Sequence, residues 1–270
     1  MNIVIDNNIK SLKSILTTTI SAISVIAVYF TIFASSLYSD SNLFSSSSFV
    51  IVEAKQQQST NLISDHKLHG YLEQMNGHLD ASIINVQNNN SVLAVAHALH
   101  PIEEIVDIIN NRLIQTNEIL TKEFSNKLNQ YVQTVKSNNL NKILKEKAEL
   151  ENLLNDALDQ SISLEKRNNN RDYILNVTAE LIIIASEEYN EAMYNGRIIN
   201  LLEYQDGQQF IKRAIMLLEE SQALLSSEKD KKYIDKIREI EKDMDLKRDP
   251  SDVDMNVKDM ICEIKKGIYC

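Results

Sequence analysis

Proline, glycine and tryptophan are scarce in this chain: 2, 5 and none in 270 residues. Strand-rich and loop-rich folds need Pro and Gly to turn the backbone, so their shortage excludes those folds and leaves long helices. Basic residues number 28 against 38 acidic ones, a net charge of −10. That balance offers no footprint for a phosphate backbone, and no nucleic-acid partner is expected. The glycine-rich and nucleophile motifs are missing too: the sequence has no GxGxxG, GxxxxGK[ST], GxSxG, HExxH or CxxCH. Nucleotide binding, serine hydrolysis, zincin chemistry and haem attachment therefore have no motif behind them. No pairing of nucleophile and base stands out, and the expectation is a protein that is not an enzyme. What the chain does have is 43% hydrophobic residues, enough to bury a core. The composition points to an all-α protein.

The amino terminus is organised around one uncharged run. Lys10 and Lys13 precede Ser14 to Ser39, which carries Ile15, Leu16, Ile20, Ile23, Val25, Ile26, Val28, Phe30, Ile32 and Phe33, and Asp40 comes next. About 20 apolar residues cross a bilayer core of about 30 Å, so 14–39 is expected to be a transmembrane helix. The flanking charges put a short tail, 1–13, in the cytoplasm and the rest outside, an extracytoplasmic location on the cell membrane. A cleaved signal peptide, cut near Ala34, Ser35 and Ser36, is the other reading. The run is longer than a usual signal core, which favours a retained signal anchor. Residues 40–62, rich in Ser and Gln, read as a flexible stalk, unless Phe49 to Val52 form an extended segment or pack on the helical bundle.

From Asp65 onward apolar residues recur every three or four positions, as in Leu68, Leu72, Met75, Leu79 and Val86. This is the period of a helix face, and 63–226 reads as a helical bundle. Asp65 is a candidate N-cap, and Ser91 another after the break at Asn88 to Asn90. Pro101 predicts a kink at 97–101. Further breaks are expected at Ser137 to Asn139, Asn168 to Arg171 and Asn195-Gly196. A charged helix and a final helix opened by Pro250 fill 227–270. Laying Asn88 to Ser91 on Tyr194 to Arg197 brings His97-Ala98-Leu99-His100 onto Glu203-Tyr204-Gln205-Asp206. Two duplicated helical hairpins would produce that correspondence, and so would the ordinary likeness of one amphipathic helix to another.

All five histidines, His66, His69, His78, His97 and His100, fall between positions 66 and 100. Such density hints at metal binding. His66 and His69 are three apart, as are His97 and His100, so each pair shares a helix face, with Glu73 and Glu104 one turn further on. Imidazole and carboxylate suit copper, zinc or iron, and the candidate ligands are His66, His69, His78, His97, His100 and Glu104. If the two hairpins pack together, Glu203 and Asp206 approach from the second. On a helical wheel, however, His97, His100 and Glu104 lie opposite the main apolar stripe. A solvated face, or polar contact with a neighbouring helix, is the competing expectation.

Cys262 and Cys270 are the only cysteines. Outside the membrane they can bridge within the chain, link two chains or stay free, and their spacing is not that of a redox pair. Asn89-Asn90-Ser91 and Asn176-Val177-Thr178 match the N-glycosylation pattern.

The words SDHKLHGYLEQMNGHLDASI (64–83), AVAHALHPIEEI (94–105), ASEEYNEAMYNGRI and EYQDGQQFIKRA resemble exported helical proteins of ammonia-oxidising archaea. More weakly, they are similar to the helical extracytoplasmic domains that accompany iron permease family proteins. The resemblance, over about 64–225, implies an archaeal surface location, a helical bundle and a link to metal handling. With one hydrophobic segment and no multi-span domain, the chain departs from the permease pattern, which puts transport by this chain alone in doubt. Two functions stand as expectations: a membrane-anchored bundle that binds a transition metal through histidines, or a non-catalytic scaffold with an envelope protein partner.

Overall fold

The computed structural model describes residues 63–225 and 227–265. The expected tail, membrane helix and stalk lie outside them, as does Cys270. Among the described residues no helix is long and apolar enough to cross a membrane.

Among the described residues ten α-helices succeed one another: α1 (Asp65–Gln87), α2 (Ser91–His100), α3 (Val106–Thr116), α4 (Glu118–Lys136), α5 (Leu140–Ser161), α6 (Leu164–Asn168), α7 (Arg171–Ala192), α8 (Leu201–Glu220), α9 (Glu228–Asp245) and α10 (Pro250–Ile264). The one departure from all-α among the described residues is a two-residue ribbon between α7 and α8, where Met193–Tyr194 (β1) pairs antiparallel with Arg197–Ile198 (β2) across Asn195-Gly196.

Asparagine does the punctuation that Gly and Pro usually do. Asn89, Asn138 and Asn195 take left-handed φ of 57°, 53° and 50°, a region in which asparagine is tolerated. The residue after the first two then caps the next helix: Asn90 Oδ1 accepts from Leu93 N–H, and Asn139 Oδ1 from Lys142 N–H. Asn117, Asn170 and Asn200 cap α4, α7 and α8 in the same way. Two expected caps are corrected. Asp65 is the first residue of α1 and is engaged by Arg112 and Lys166, and Ser91 stands one place inside α2.

At Pro101 the chain takes a single wide π turn, Pro101–Ile105, between α2 and α3. Proline has no N–H to give the preceding turn, and a local π bulge absorbs the mismatch. Glu104, on this turn, lies 3.5 Å from Nδ1 of His100, its i,i+4 neighbour.

α1 is the central helix. α2, α5, α7 and α8 all pack against it, and the most extensive helix pair is α7 with α8. The α4–α5 hairpin covers the α1–α2 side, and α9 and α10 cover α8 and α7. Leu68, Leu72, Met75 and Leu79 are buried as the period predicts, but so are His69, Gln74, Asn76, His78, Ser82 and Asn85. A helix enclosed on several sides buries its polar residues as well, and each must then find a partner. Ser82, for example, donates its hydroxyl to the Ala94 carbonyl at 2.8 Å, tying α1 to α2.

α7 and α8 approach closely at Gly207. A Cβ there would meet the Ala185 carbonyl oxygen at 2.9 Å and Met244 Cε at 3.1 Å. Backbone cannot yield as a side-chain tip can, so Gly207→Ala is expected to cost about 1–3 kcal/mol through overpacking. Chemical denaturation should show a lower midpoint with an unchanged slope; an unaltered midpoint would contradict the close approach.

Candidate metal centre

Three helices contribute polar side chains to one place in the bundle. α1 contributes His78; α2 contributes His97 and His100; α8 contributes Asp206 with Gln205 beside it. His97 and Asp206 are fully buried, His78 is 1% exposed and His100 7%. Asp206 Oδ1 lies 2.8 Å from His78 Nδ1 and 2.9 Å from His97 Nδ1, and Oδ2 lies 3.0 Å from His100 Nδ1. One ligand atom from each of the four residues falls within 4.8 Å of the other three. Phe210 closes one side, its ring meeting that of His78 edge-on at 5.0 Å between centroids.

The hydrogen bonds behind His97 decide its tautomer. The Ala81 carbonyl only accepts, so the Asn85 amide nitrogen donates to it at 2.9 Å. The same nitrogen donates to Gln205 Oε1 at 2.8 Å, which identifies that atom as an acceptor. His97 Nε2, 2.8 Å from Gln205 Oε1, must therefore carry a hydrogen. With Nε2 protonated, the Nδ1 of a neutral His97 is a bare lone pair 2.9 Å from a carboxylate oxygen. Two acceptors hold that distance only around a cation, either a second proton on the ring or a metal ion. Ordering of a ligand imidazole through its far nitrogen is how outer contacts prepare metal sites.

The electrostatics are strongly biased. Burial alone would raise the Asp206 carboxyl, but the charge of His78 and the hydrogen bonds from His100, His78 and His97 outweigh it and hold Asp206 well below its ordinary value. Burial opposes protonation of His100, yet hydrogen bonding and charge from Asp206, with Glu104 and Glu203, raise it. Glu104 is raised, by burial first. Its half-exposed side chain reaches His100 Nδ1 at 3.5 Å and His78 Nε2 at 3.6 Å. Glu188 of α7 is pushed up to about 9 by burial, by a hydrogen bond and charge from Glu203, and by the charges of Asp206 and Glu104.

Of the sequence-predicted ligands, the structure gathers His78, His97 and His100, with Glu104 beside them. It does not bring His66 or His69 into this group. His66 lies 3.3 Å from Ser64 Oγ and 3.6 Å from Glu180. His69 shares a hydrogen bond of 3.0 Å with Tyr173 and lies 3.6 Å from Glu73, beside a separate cavity of about 410 Å³. The i,i+3 spacing put both on one face, but that face of α1 points to α7. Of the two expectations drawn from the helical wheel, contact with a neighbouring helix describes His97 and His100: the neighbour is α8. Glu188, Gln205 and Asn85 gave no signal of their own in the sequence. Asp206 and Glu203 were visible only through the superposed hairpins.

Residues 164–268 match the family described as the iron permease-associated 4-helix bundle domain. The matched stretch includes α6 to α10, and so holds Asp206, Gln205, Glu188 and Glu203, whereas the three histidines precede it. No curated protein and no solved structure matches the chain.

The raised Glu188 has a consequence for the metal-free chain. An unfolded glutamate ionises near 4.5, whereas Glu188 in the fold keeps its proton up to about 9. Its contribution to stability is therefore whole below 4.5 and is lost as pH rises towards 9. His100, also raised, acts with the same sign. Melting followed by circular dichroism should show stability falling from pH 5 to pH 9, and Glu188→Gln should leave only the part due to His100 and Glu104. An identical fall in the variant would contradict the crowding around Glu188.

Proposed function

We propose that the protein binds a divalent transition-metal ion at His78, His97, His100 and Asp206, tethered to the outer face of a membrane by residues 14–39, and that it binds without turnover. The observation that carries this reading is the convergence of His78, His97 and His100 on the buried Asp206 carboxylate, one ligand atom from each of the four lying within 4.8 Å of the others. Three imidazoles and a carboxylate are a donor set for zinc, copper or iron. A tetrahedral ion with bonds of about 2.0–2.1 Å holds its ligands roughly 3.3 Å apart, so contacts of 2.8–3.0 Å need open only slightly to admit one. The description of the matched domain favours iron among these. Membrane tethering is supported by the hydropathy of residues 14–39 and by the permease association in that description.

A metal that binds the folded chain alone raises its melting temperature. At about a hundredfold over the dissociation constant the gain is roughly 2.7 kcal/mol, or roughly 5–10 °C for a domain of this size. The full chain in detergent, melted with and without iron(II), zinc or copper, should show this rise. The near-isosteric Asp206→Asn should lose it and Glu73→Gln should keep it. No shift with any of the three ions would sink the reading.

A further inference from the structure

His69 has no part in the metal centre. It precedes His78 on α1 by roughly 13 Å of helix and lines a different cavity, of about 410 Å³, near the ends of α5 and α8. That volume lies in the range of small-molecule sites and has room for far more than one water.

The floor of this cavity is polar and buried. His69 is 4% exposed, and its Nδ1 lies 3.0 Å from the Tyr173 hydroxyl. Its Nε2 lies 3.6 Å from Glu73 Oε1, beyond hydrogen-bond reach. Arg213 Nε and Nη2 both donate to the other oxygen, Glu73 Oε2, at 2.8 and 2.5 Å. His69 Nε2 and Glu73 Oε1 are thus left side by side with no hydrogen bond among the described residues. Burial would raise the Glu73 carboxyl, but His69 and Arg213 outweigh it and hold it below its ordinary value, so it is ionised and only accepts. Beside it the His69 ring carries its hydrogen on Nε2. The Nδ1 of the neutral ring then accepts from Tyr173, whose phenol is raised by burial and keeps its proton.

That pair selects its ligand. An atom about 2.8 Å from each must accept from Nε2–H and donate to Oε1. A hydroxyl oxygen does both, whereas an ammonium or amide nitrogen only donates, and a carboxylate or carbonyl oxygen only accepts. The rest of the lining suits the same chemistry. Asn155, Asn168 and Ser221 each donate and accept, as successive hydroxyls require, and Leu158 and Leu217 offer apolar surface to a carbon skeleton. Arg213 is engaged by Glu73, and Arg167 by Asp159 and the Ile162 carbonyl, which leaves an anion no free cation to pair with. Glu220, exposed, adds one more acceptor.

We propose that this cavity binds an uncharged, hydroxyl-rich molecule of monosaccharide size, one of whose hydroxyls bridges His69 and Glu73. The site is separate from the metal centre and does not depend on it.

The test is a sugar titration. The full chain, metal-free and in a detergent without sugar headgroups, is titrated with glucose, galactose and mannose by calorimetry, and contacts are read by saturation-transfer nuclear magnetic resonance. Saturable binding of at least one of the three is expected. Glu73→Gln keeps the shape and, with its carbonyl held by Arg213, turns the free acceptor into a donor; it should weaken binding about tenfold or more. Asn155→Trp, at an exposed position, should abolish binding by filling the cavity. Melts of both variants confirm that they fold. No saturable binding of any of the three sugars would overturn the site. Binding of equal strength in the wild type and both variants would also overturn it, by placing the sugar elsewhere.

Discussion

The carboxylate of Asp206 is the constraint around which the rest of the bundle is arranged. It is fully buried and makes no ion pair with lysine or arginine among the described residues; its partners are three imidazoles from two other helices. An ionised carboxylate stripped of water is costly unless it is fully paired. Each helix that supplies a partner must therefore be held in place. Ser82 ties α1 to α2, Asn85 and Gln205 tie α1 to α8, and Gly207 lets α7 and α8 come close enough to enclose the site. The tyrosines of α7 and α8 fix the outer layer: Tyr189 donates to the Arg248 carbonyl and Tyr204 to that of Met244. Of these polar groups, Asn85 and Gln205 connect through His97 to Asp206, which His78 and His100 also reach.

Much of the fold was legible in the sequence because it obeys short-range rules. Apolar period, asparagine turns and the opening Pro250 located the helices to within a few residues. What the period could not show was that α1 is enclosed on several sides, since its buried residues include six that are polar. A one-faced reading sends such residues to solvent. The same limit affected the site. Density along the chain marked the histidines of 66–100, yet only three-dimensional packing separates His78, His97 and His100 from His66 and His69. Asp206 and Glu203 are more than 100 positions from their histidine partners, and nothing local marks them out from the 38 acidic residues of the chain. Glu188 is less legible still, because its character comes from the carboxylates around it.

The centre is also divided along the chain. Its carboxylate, Asp206, lies in the stretch that matches the iron permease-associated domain, while its histidines come from α1 and α2 ahead of that stretch. Neither part can assemble the ligand set alone. Packing of α1 and α2 on α7 and α8 is thus the step that creates the site, and any metal bound there stabilises that packing directly. Metal affinity and cohesion between the two helical hairpins become one quantity measured in two ways.

The central claim is that imidazoles from α1 and α2 meet in one coordination sphere with Asp206. X-ray absorption at the zinc edge of the zinc-loaded chain tests it most directly, because imidazole rings scatter in a pattern that carboxylate and water do not reproduce. The account predicts nitrogen and oxygen neighbours at about 2.0–2.1 Å with the outer-shell signature of bound imidazole. A spectrum with oxygen neighbours alone would contradict it, and would show that the buried histidines serve Asp206 as hydrogen-bond donors without holding a metal.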